Sequence, residues 1–412
     1  MTSRTTATGG QAADMTGSEG ALAGIRVIDL TRILAGPFCT MNLGDMGAEI
    51  IKIEQPGKGD DTRGWGPPFA GGESAYFLGI NRGKKSVTLD LKDARALDVL
   101  KRLIIGGDVL IDNFKPGTLA KLGINADWLS AEAPQIIHCQ ISGYGEKGPK
   151  GGMPGYDFLL QAESGLMSIT GSEAGGPAKL GVAIVDVCTG QYAAMTILAA
   201  LNARGRTGKG QKVSVNLFNT SLSMLVNVAA NYLVGGEAPG RYGNGHPNIV
   251  PYRDYPCQEG EIALSVGNDS QFAKLAGLLG HPEWCANEDF KTNAGRVVNR
   301  DAVDEMVRDA LAAKPAEDWI GELQAAGISC SMIYPVDQAL ESEQAAANDM
   351  VVEMDHPTAG AFRALGIPYE FSDTPANLQG PPPILGADTD AVLNALGISG
   401  ADIAAMREDG VV

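Results

Sequence analysis

Short apolar runs recur along the chain, and each stops at a polar or glycine-bearing turn. IRVIDL (25–30), AEIIKIE (48–54), SVTLDL (86–91), DVLIDNF (108–114) and QIIHCQIS (135–142) read as buried strands. Between them lie stretches of helical character: the small-residue segment that follows Leu30, then DARALDVLKRLIIGG, then TLAKLGI. Strands alternating with helices predict an α/β protein whose parallel sheet is covered on both faces. In such sheets ligands sit beyond the carboxyl ends of the strands. Neither a GxGxxG dinucleotide fingerprint nor a GxxxxGK[ST] phosphate loop is present, so an ordinary NAD or ATP site is not expected.

The pattern changes after residue 180. Val182–Val185 reads as a short apolar strand, Asp186 follows, and Gln191–Leu201 reads as a buried helix of small residues. An acid at such a junction is either an N-cap or a group that does chemistry. KVSVNL (212–217) alternates like a strand, and Ser221–Val234 is helical up to Gly235-Gly236. RYGNGHPNIVPY (241–252) is a loop and a hinge candidate. From 253 to 335 a strand (261–269), three helices (270–280, 300–313, 316–326) and a further strand predict a smaller α/β domain. The tail carries more strand signals, Pro381-Pro382-Pro383 and a last helix. No fixed-period repeat occurs.

Charge narrows the function. The 412 residues carry a formal net charge of −17, which argues against a nucleic-acid binder. Residues 50–122 run the other way, with 12 Lys+Arg against 9 Asp+Glu, a local excess that suits a small phosphorylated ligand. Arg82, Lys84 and Lys85 are phosphate candidates on that count. The six cysteines are widely spaced, and the four histidines form no HExxH or close pair. Neither a disulfide framework nor a metal site is indicated, and a reducing cytoplasm fits. Residues 1–18 are polar and Gly/Thr/Ala-rich, without the apolar core of a signal peptide, and read as a disordered tail. No stretch reads as reaching the ~20 apolar residues that cross a bilayer, so no membrane partner is expected.

These segments, in this order, resemble the family III CoA-transferases, the group of carnitine CoA-transferase, formyl-CoA transferase and the bile-acid-inducible proteins. GIRVIDLTRILAGPFCTMNLGDMGAEIIKIEQPGKGDDTRGW, SAYFLGINRGKKSVTLDL, DVLIDNFKPGTLAKLG, PGYDFLLQAESGLMSITG, VAIVDVCTGQYAAMTILAAL and YGNGHPNIVPYRDY carry the likeness, which spans roughly residues 20–412. It implies an interlocked homodimer, each chain holding a Rossmann-like large domain and a small domain. On this sequence the layout is a large CoA-binding domain over 19–225, a linker over 226–245, a small domain over 246–335, and a return to the large domain over 336–412.

The resemblance also assigns residues. The family's nucleophile falls on Asp186, whose carboxylate would attack an acyl-CoA thioester and carry CoA as an aspartyl thioester between two mixed anhydrides. Asp157 falls where a family acid orients that carboxylate. Gly267 and Asn268 match a lid loop that offers oxyanion donors. CoA contacts fall on Ile33 (backbone), Gln55, Asn113, Phe114, Lys121 and Leu122. Some relatives have Arg where Gln55 and Lys121 stand. CoA enters as a substrate, and no tightly bound cofactor is implied. Arg241 and His246 are candidates for the distal carboxylate of the acceptor acid, as is a simple loop contact. Racemases of 2-methylacyl-CoA share the fold but use a His where this chain has Tyr156, which disfavours that chemistry; Tyr156 is then a substrate neighbour. A non-catalytic CoA-binding protein is disfavoured by the presence of Asp186. Several stretches look most like members that pass CoA from succinyl-CoA to a dicarboxylic acid such as glutarate.

Overall fold

The computed structural model describes residues 20–172 and 174–412; the tail expected over 1–18 lies outside them. Six strands form the main sheet: β1 (Arg26–Asp29), β2 (Glu49–Glu54), β3 (Lys84–Thr88), β4 (Val109–Asp112), β5 (Ile137–Ser142) and β6 (Lys212–Asn216). Their order is β3-β2-β1-β4-β5-β6. β1 runs parallel to β2 and β4, β2 to β3, and β4 to β5. The chain steps outward on one side of β1 and then returns to its other side, so the switch point of the sheet lies between β1 and β4.

These strands form where the apolar runs predicted them, because both faces are covered. Val27, Ile28, Val109, Leu110, Ile111 and Ile137 are fully buried. The helix Ala94–Ile105 shows how one flank is closed. Asp93 caps it, accepting the Arg95 N–H at 2.7 Å. Its residues Ala96, Val99, Leu100, Leu103 and Ile104 are buried at the helical spacing. The C-terminal segment packs on the same core through Val392, Leu393, Ile403 and Met406. It is also stitched to β3, with Ser86 N–H on Asp388 at 2.9 Å and Thr88 N–H on Thr389 at 3.0 Å.

The chain divides into two compact units. The first runs to Gly152 and adds Val187–Val215 and Asp349–Val412; the second takes Met153–Asp186 and Asn216–Asn348. The second unit holds an antiparallel sheet of β7 (Tyr252–Pro256), β8 (Glu261–Ser265) and β9 (Ser329–Met332), in the order β9-β8-β7. Its core includes Tyr255, Ile262, Leu264, Phe272, Val303 and Trp319. Arg296 is fully buried there. It ties Asp269 at 2.8 Å, the Val250 carbonyl at 2.8 Å and the Phe290 carbonyl at 2.8 Å, and lies over the Phe272 ring.

Two local expectations change. Val182–Val185 is not a strand: the helix begins at Ile184 and runs to Thr207. An apolar run too short to be told apart by period goes to the helix that follows it. That helix is 24 residues long and holds an 18-residue stretch with a mean hydropathy of 1.5, long and apolar enough to cross a membrane, against the expectation that no stretch would be. Ala193, Ile197 and Ala200 are buried within the protein. The run Ser221–Val234 is two helices, Leu217–Ser223 and Val226–Gly235, bent by 73°.

Gly190 lets the long helix approach the backbone of the helix Ala35–Asp45. A Cβ there would lie 2.6 Å from the Ala35 carbonyl oxygen and 3.4 Å from the Cys39 nitrogen. Neither is a flexible side chain that could move aside. Gly190→Val should therefore cost about 1–3 kcal/mol, read as a lower urea midpoint with an unchanged slope; a midpoint equal to wild type would mean that the helix shifts freely.

Candidate functional site

Asp186 is the third residue of the helix Ile184–Thr207 and is half-buried. It does not cap that helix. Asp157 does: its Oδ1 accepts the Val185 N–H at 2.8 Å and, more weakly, the Asp186 N–H at 3.4 Å. Asp157 opens its own helix, Asp157–Glu163, and its Oδ2 accepts from Gln161 Nε2 at 2.7 Å. Gln161 is buried, and its Oε1 takes the Leu180 N–H at 2.9 Å. The chain 157–186 is thus a closed loop of hydrogen bonds with two carboxylates at its centre. Gln161 is a member that sequence reasoning missed; its signal was the i, i+4 spacing from Asp157 on one helix face.

Burial, and then the negative charge of Asp157, push the Asp186 carboxyl up from its ordinary 3.8 to about 7. A helix N-terminus can hold an acid ionised, but here the Val185 and Asp186 N–H groups are bonded to Asp157. Among the described residues no cation is paired with Asp186.

The other residues proposed for acid handling also lie in the second unit. Tyr156 precedes the Asp157 helix and is 60% exposed. The Arg241 guanidinium donates to the Ser168 and Ser172 carbonyls, both at 3.3 Å. His246 Nδ1 accepts the Asn248 N–H at 3.0 Å, and its ring lies 5.2 Å from that of Tyr252. Burial and the nearby Arg300 hold its imidazole below the ordinary range. Gly267 donates its N–H to Gln271 Oε1 at 2.8 Å. Asn268 caps the helix Asp269–Leu278, accepting the Gln271 N–H at 2.9 Å.

The residues proposed for CoA lie in the first unit, at the carboxyl ends of the strands. A cavity of about 220 Å³ is lined by Arg32, Lys52, Gln55, Asp60, Lys92 and Phe114, among others. Gln55 and Phe114 were expected there; Arg32 and Lys92 were not, although Arg32 follows directly on the end of β1. Ile33 is one residue further on, with φ of +73°. Asn113 brackets Arg32, accepting its N–H at 3.1 Å and donating to its carbonyl at 2.7 Å. Lys121 ends the short helix Thr118–Lys121 with its side chain in solvent, and Leu122 packs on the apolar core. Neither lines the cavity.

Two cations counted as phosphate candidates are structural instead. Arg82 is buried and grips Asp45 with two bonds of 2.9 and 2.7 Å, and it also bonds the Leu365 carbonyl. Lys84 is buried on Asp29, Asn81 and the Pro37 carbonyl; enclosure lowers its ammonium from 10.5 to about 8. A charge count along the sequence cannot tell a cation that faces water from one that neutralises a buried acid. Lys85 is the exposed one of the three, paired with Glu49 at 2.7 Å. Among the described residues no group of three His, Cys, Asp or Glu side chains could hold a metal.

A half-buried carboxyl near neutrality thus lies in the second unit, and a cavity at the carboxyl ends of the parallel strands lies in the first. The family model for CoA-transferase family III matches residues 22–389. The chain belongs to that family and is a CoA-transferase. It is 41% identical to succinyl-CoA:glutarate CoA-transferase of Mus musculus over 90% of this chain and 85% of that protein. It is 38% identical to succinate–glutarate CoA-transferase of Agrobacterium fabrum, over 93% and 97%. A solved CAIB/BAIF family protein from Brucella suis superposes with a TM-score of 0.80 at 39% identity, covering 92% of this chain and 100% of that one.

Ionising Asp186 works against the fold. Its folded carboxyl titrates near 7 and its unfolded one near 3.8, so between these values the folded chain holds the extra proton. Stability therefore falls as pH rises through that window. Asp186→Asn escapes the loss. It should unfold like wild type at pH 4 and be more stable at pH 8 by roughly 1–2 kcal/mol, discounted for partial exposure. Equal urea midpoints at pH 8 would contradict the shifted carboxyl.

Proposed function

We propose that this protein moves CoA from succinyl-CoA to glutarate or a closely similar dicarboxylate, with Asp186 as the nucleophile. The observation that carries the substrate pair is the 41% identity, over 90% of the chain, to relatives named for succinyl-CoA and glutarate. The Asp186 carboxylate attacks the thioester carbonyl of succinyl-CoA and expels CoA thiolate, leaving a succinyl–aspartyl anhydride. The thiolate attacks the aspartyl carbonyl and releases succinate, leaving an aspartyl–CoA thioester. A glutarate carboxylate then attacks that thioester, expels the thiolate again and forms a glutaryl–aspartyl anhydride. Attack of the thiolate on the glutaryl carbonyl releases glutaryl-CoA and restores Asp186.

A carboxylate suits this exchange because its anhydride and thioester both remain reactive, whereas a serine ester or lysine amide would not pass the group on. Raising the carboxyl to about 7 makes the ionised form a stronger nucleophile, and it is still about half ionised at neutral pH. Asp157 orients Asp186 through the backbone it caps. Gly267 and Asn268 serve the oxyanions, the Gly267 N–H becoming available when Gln271 Oε1 lets go. Ile33, Gln55, Asn113 and Phe114 surround the nucleotide end of CoA, with Lys121 as a solvent-facing cation for its phosphates and Leu122 beside it; Lys85, paired with Glu49 toward the amino ends of β3 and β2, lies away from them. Arg241 and His246 take the acceptor's distal carboxylate, and Tyr156 borders the substrate. Six cysteines without disulfides support a reducing compartment, the cytoplasm.

With succinyl-CoA and glutarate, glutaryl-CoA should appear by mass spectrometry and be lost in Asp186→Ala. The rate should rise with pH through about 7 as Asp186 ionises. Proton exchange at the α-carbon of a 2-methylacyl-CoA without any transfer would support the racemase instead.

Assembly as a homodimer is part of the same reading. The helix Val226–Gly235 is apolar yet buries none of its residues; Val226 is 70%, Leu233 78% and Val234 90% exposed. Asn227 and Asn231 bond Asn248, but these apolar side chains face outward, and a second copy of the chain would cover them. Val234→Glu should shift the protein from dimer to monomer mass in light scattering. A wild type that is monomeric at micromolar concentration would remove this part of the proposal.

A further inference from the structure

We propose that Lys52 and Asp60 are positioning residues for CoA, holding the turn Thr31–Ile33 in the conformation that receives it. The inference rests on the CoA reading above and adds two residues to it.

The turn leaves β1 at the switch point of the sheet. Ile33 is β-branched, and its φ of +73° is a left-handed conformation that such a residue rarely adopts. A conformation of this kind persists only when its surroundings over-determine it. Here they do. Thr31 N–H is held by Asp29 at 2.8 Å, and its carbonyl by Lys52 Nζ at 2.8 Å. Asn113 holds both backbone groups of Arg32, and Asp60 Oδ1 takes the Ile33 N–H at 3.2 Å. Gly36 leaves the room: a Cβ there would lie 2.2 Å from the Thr31 Cβ.

Lys52 and Asp60 join two of these anchors. They are paired at 2.8 Å with both side chains wholly enclosed. A buried ion pair is seldom the most stabilising filling for such a space, since an apolar pair of equal volume often does better. What an apolar pair could not do is grip the Thr31 carbonyl and the Ile33 N–H together. The same two residues line the 220 Å³ cavity with Arg32, Gln55 and Phe114. Lys52 cancels the charge of Asp60, and Arg63 that of Glu54 at 2.8 Å, so these acids do not oppose a phosphorylated ligand. With its N–H spent on Asp60, Ile33 has its carbonyl to offer. It therefore meets a hydrogen-bond donor of CoA, an adenine amino group or a pantetheine amide, and not a phosphate oxygen.

The test measures CoA binding by calorimetry and steady-state transfer on the full chain, with a thermal melt for each variant. Lys52→Met should raise the Kd for CoA and the KM for succinyl-CoA about tenfold. The kcat and the KM for glutarate should stay close to wild type, a split that a general loss of stability would not produce. A folded Lys52→Met with wild-type Kd and KM overturns the proposal. If Lys52→Met does not fold, Asp60→Asn takes its place: it keeps the shape and an acceptor for Ile33 but loses the ionic grip on Lys52. The same split is expected from it, and its absence likewise overturns the proposal. A wild type that binds CoA yet transfers it to no acid sinks the reaction above, while the Kd comparison still reads out the pair.

Discussion

A carboxylate cannot leave water without a partner, and this structure is arranged around that constraint. Three strands of the main sheet end in acids: Asp29 on β1, Glu54 on β2 and Asp112 on β4. Each is buried and each has an assigned companion: Lys84 for Asp29, Arg63 for Glu54 and His138 for Asp112. Asp60 has Lys52, and Asp45 has Arg82. These pairs hold the strand ends, and the turns that follow them, in fixed positions.

Asp186 is the contrast. It is withdrawn from water beside a second acid instead of a cation, so its carboxyl rises to about 7 while those of Asp29, Glu54 and Asp60 are held below their usual range. Burial raises all four. Nearby cations and hydrogen bonds outweigh it at Asp29, Glu54 and Asp60, whereas at Asp45 burial still prevails over Arg82 and its carboxyl stays raised. The paired acids serve the scaffold, whereas Asp186 stands beside another acid and is costly to ionise where it lies. Stability given up in this way is what a fold commonly concedes at a reactive group.

Much of the fold was legible along the chain, because each buried strand is a run of apolar residues with both faces covered. Val27-Ile28 and Val109-Leu110-Ile111 could be little else. The candidate nucleophile was legible through the resemblance of the segment around Asp186. The beginning of its helix was not, since Val182–Val185 satisfies a strand and a helix equally well over four residues. Gln161 escaped notice because its i, i+4 spacing from Asp157 gains meaning only once both are seen on one helix, with the Leu180 N–H folded back onto the amide.

The sequence by itself determined most of the element types, their order and the family, and it singled out Asp186 as the candidate acid. Those follow from local periodicity and motif order, which are properties of neighbouring residues. Only the tertiary structure decided which charges are partners. Arg82 meets Asp45 across 37 positions and Lys84 meets Asp29 across 55, so two cations that look available in the sequence are already engaged. It also decided that Asp157, and not Asp186, caps the helix. The energy of a charge depends on what surrounds it in space, and that is settled only when distant segments meet.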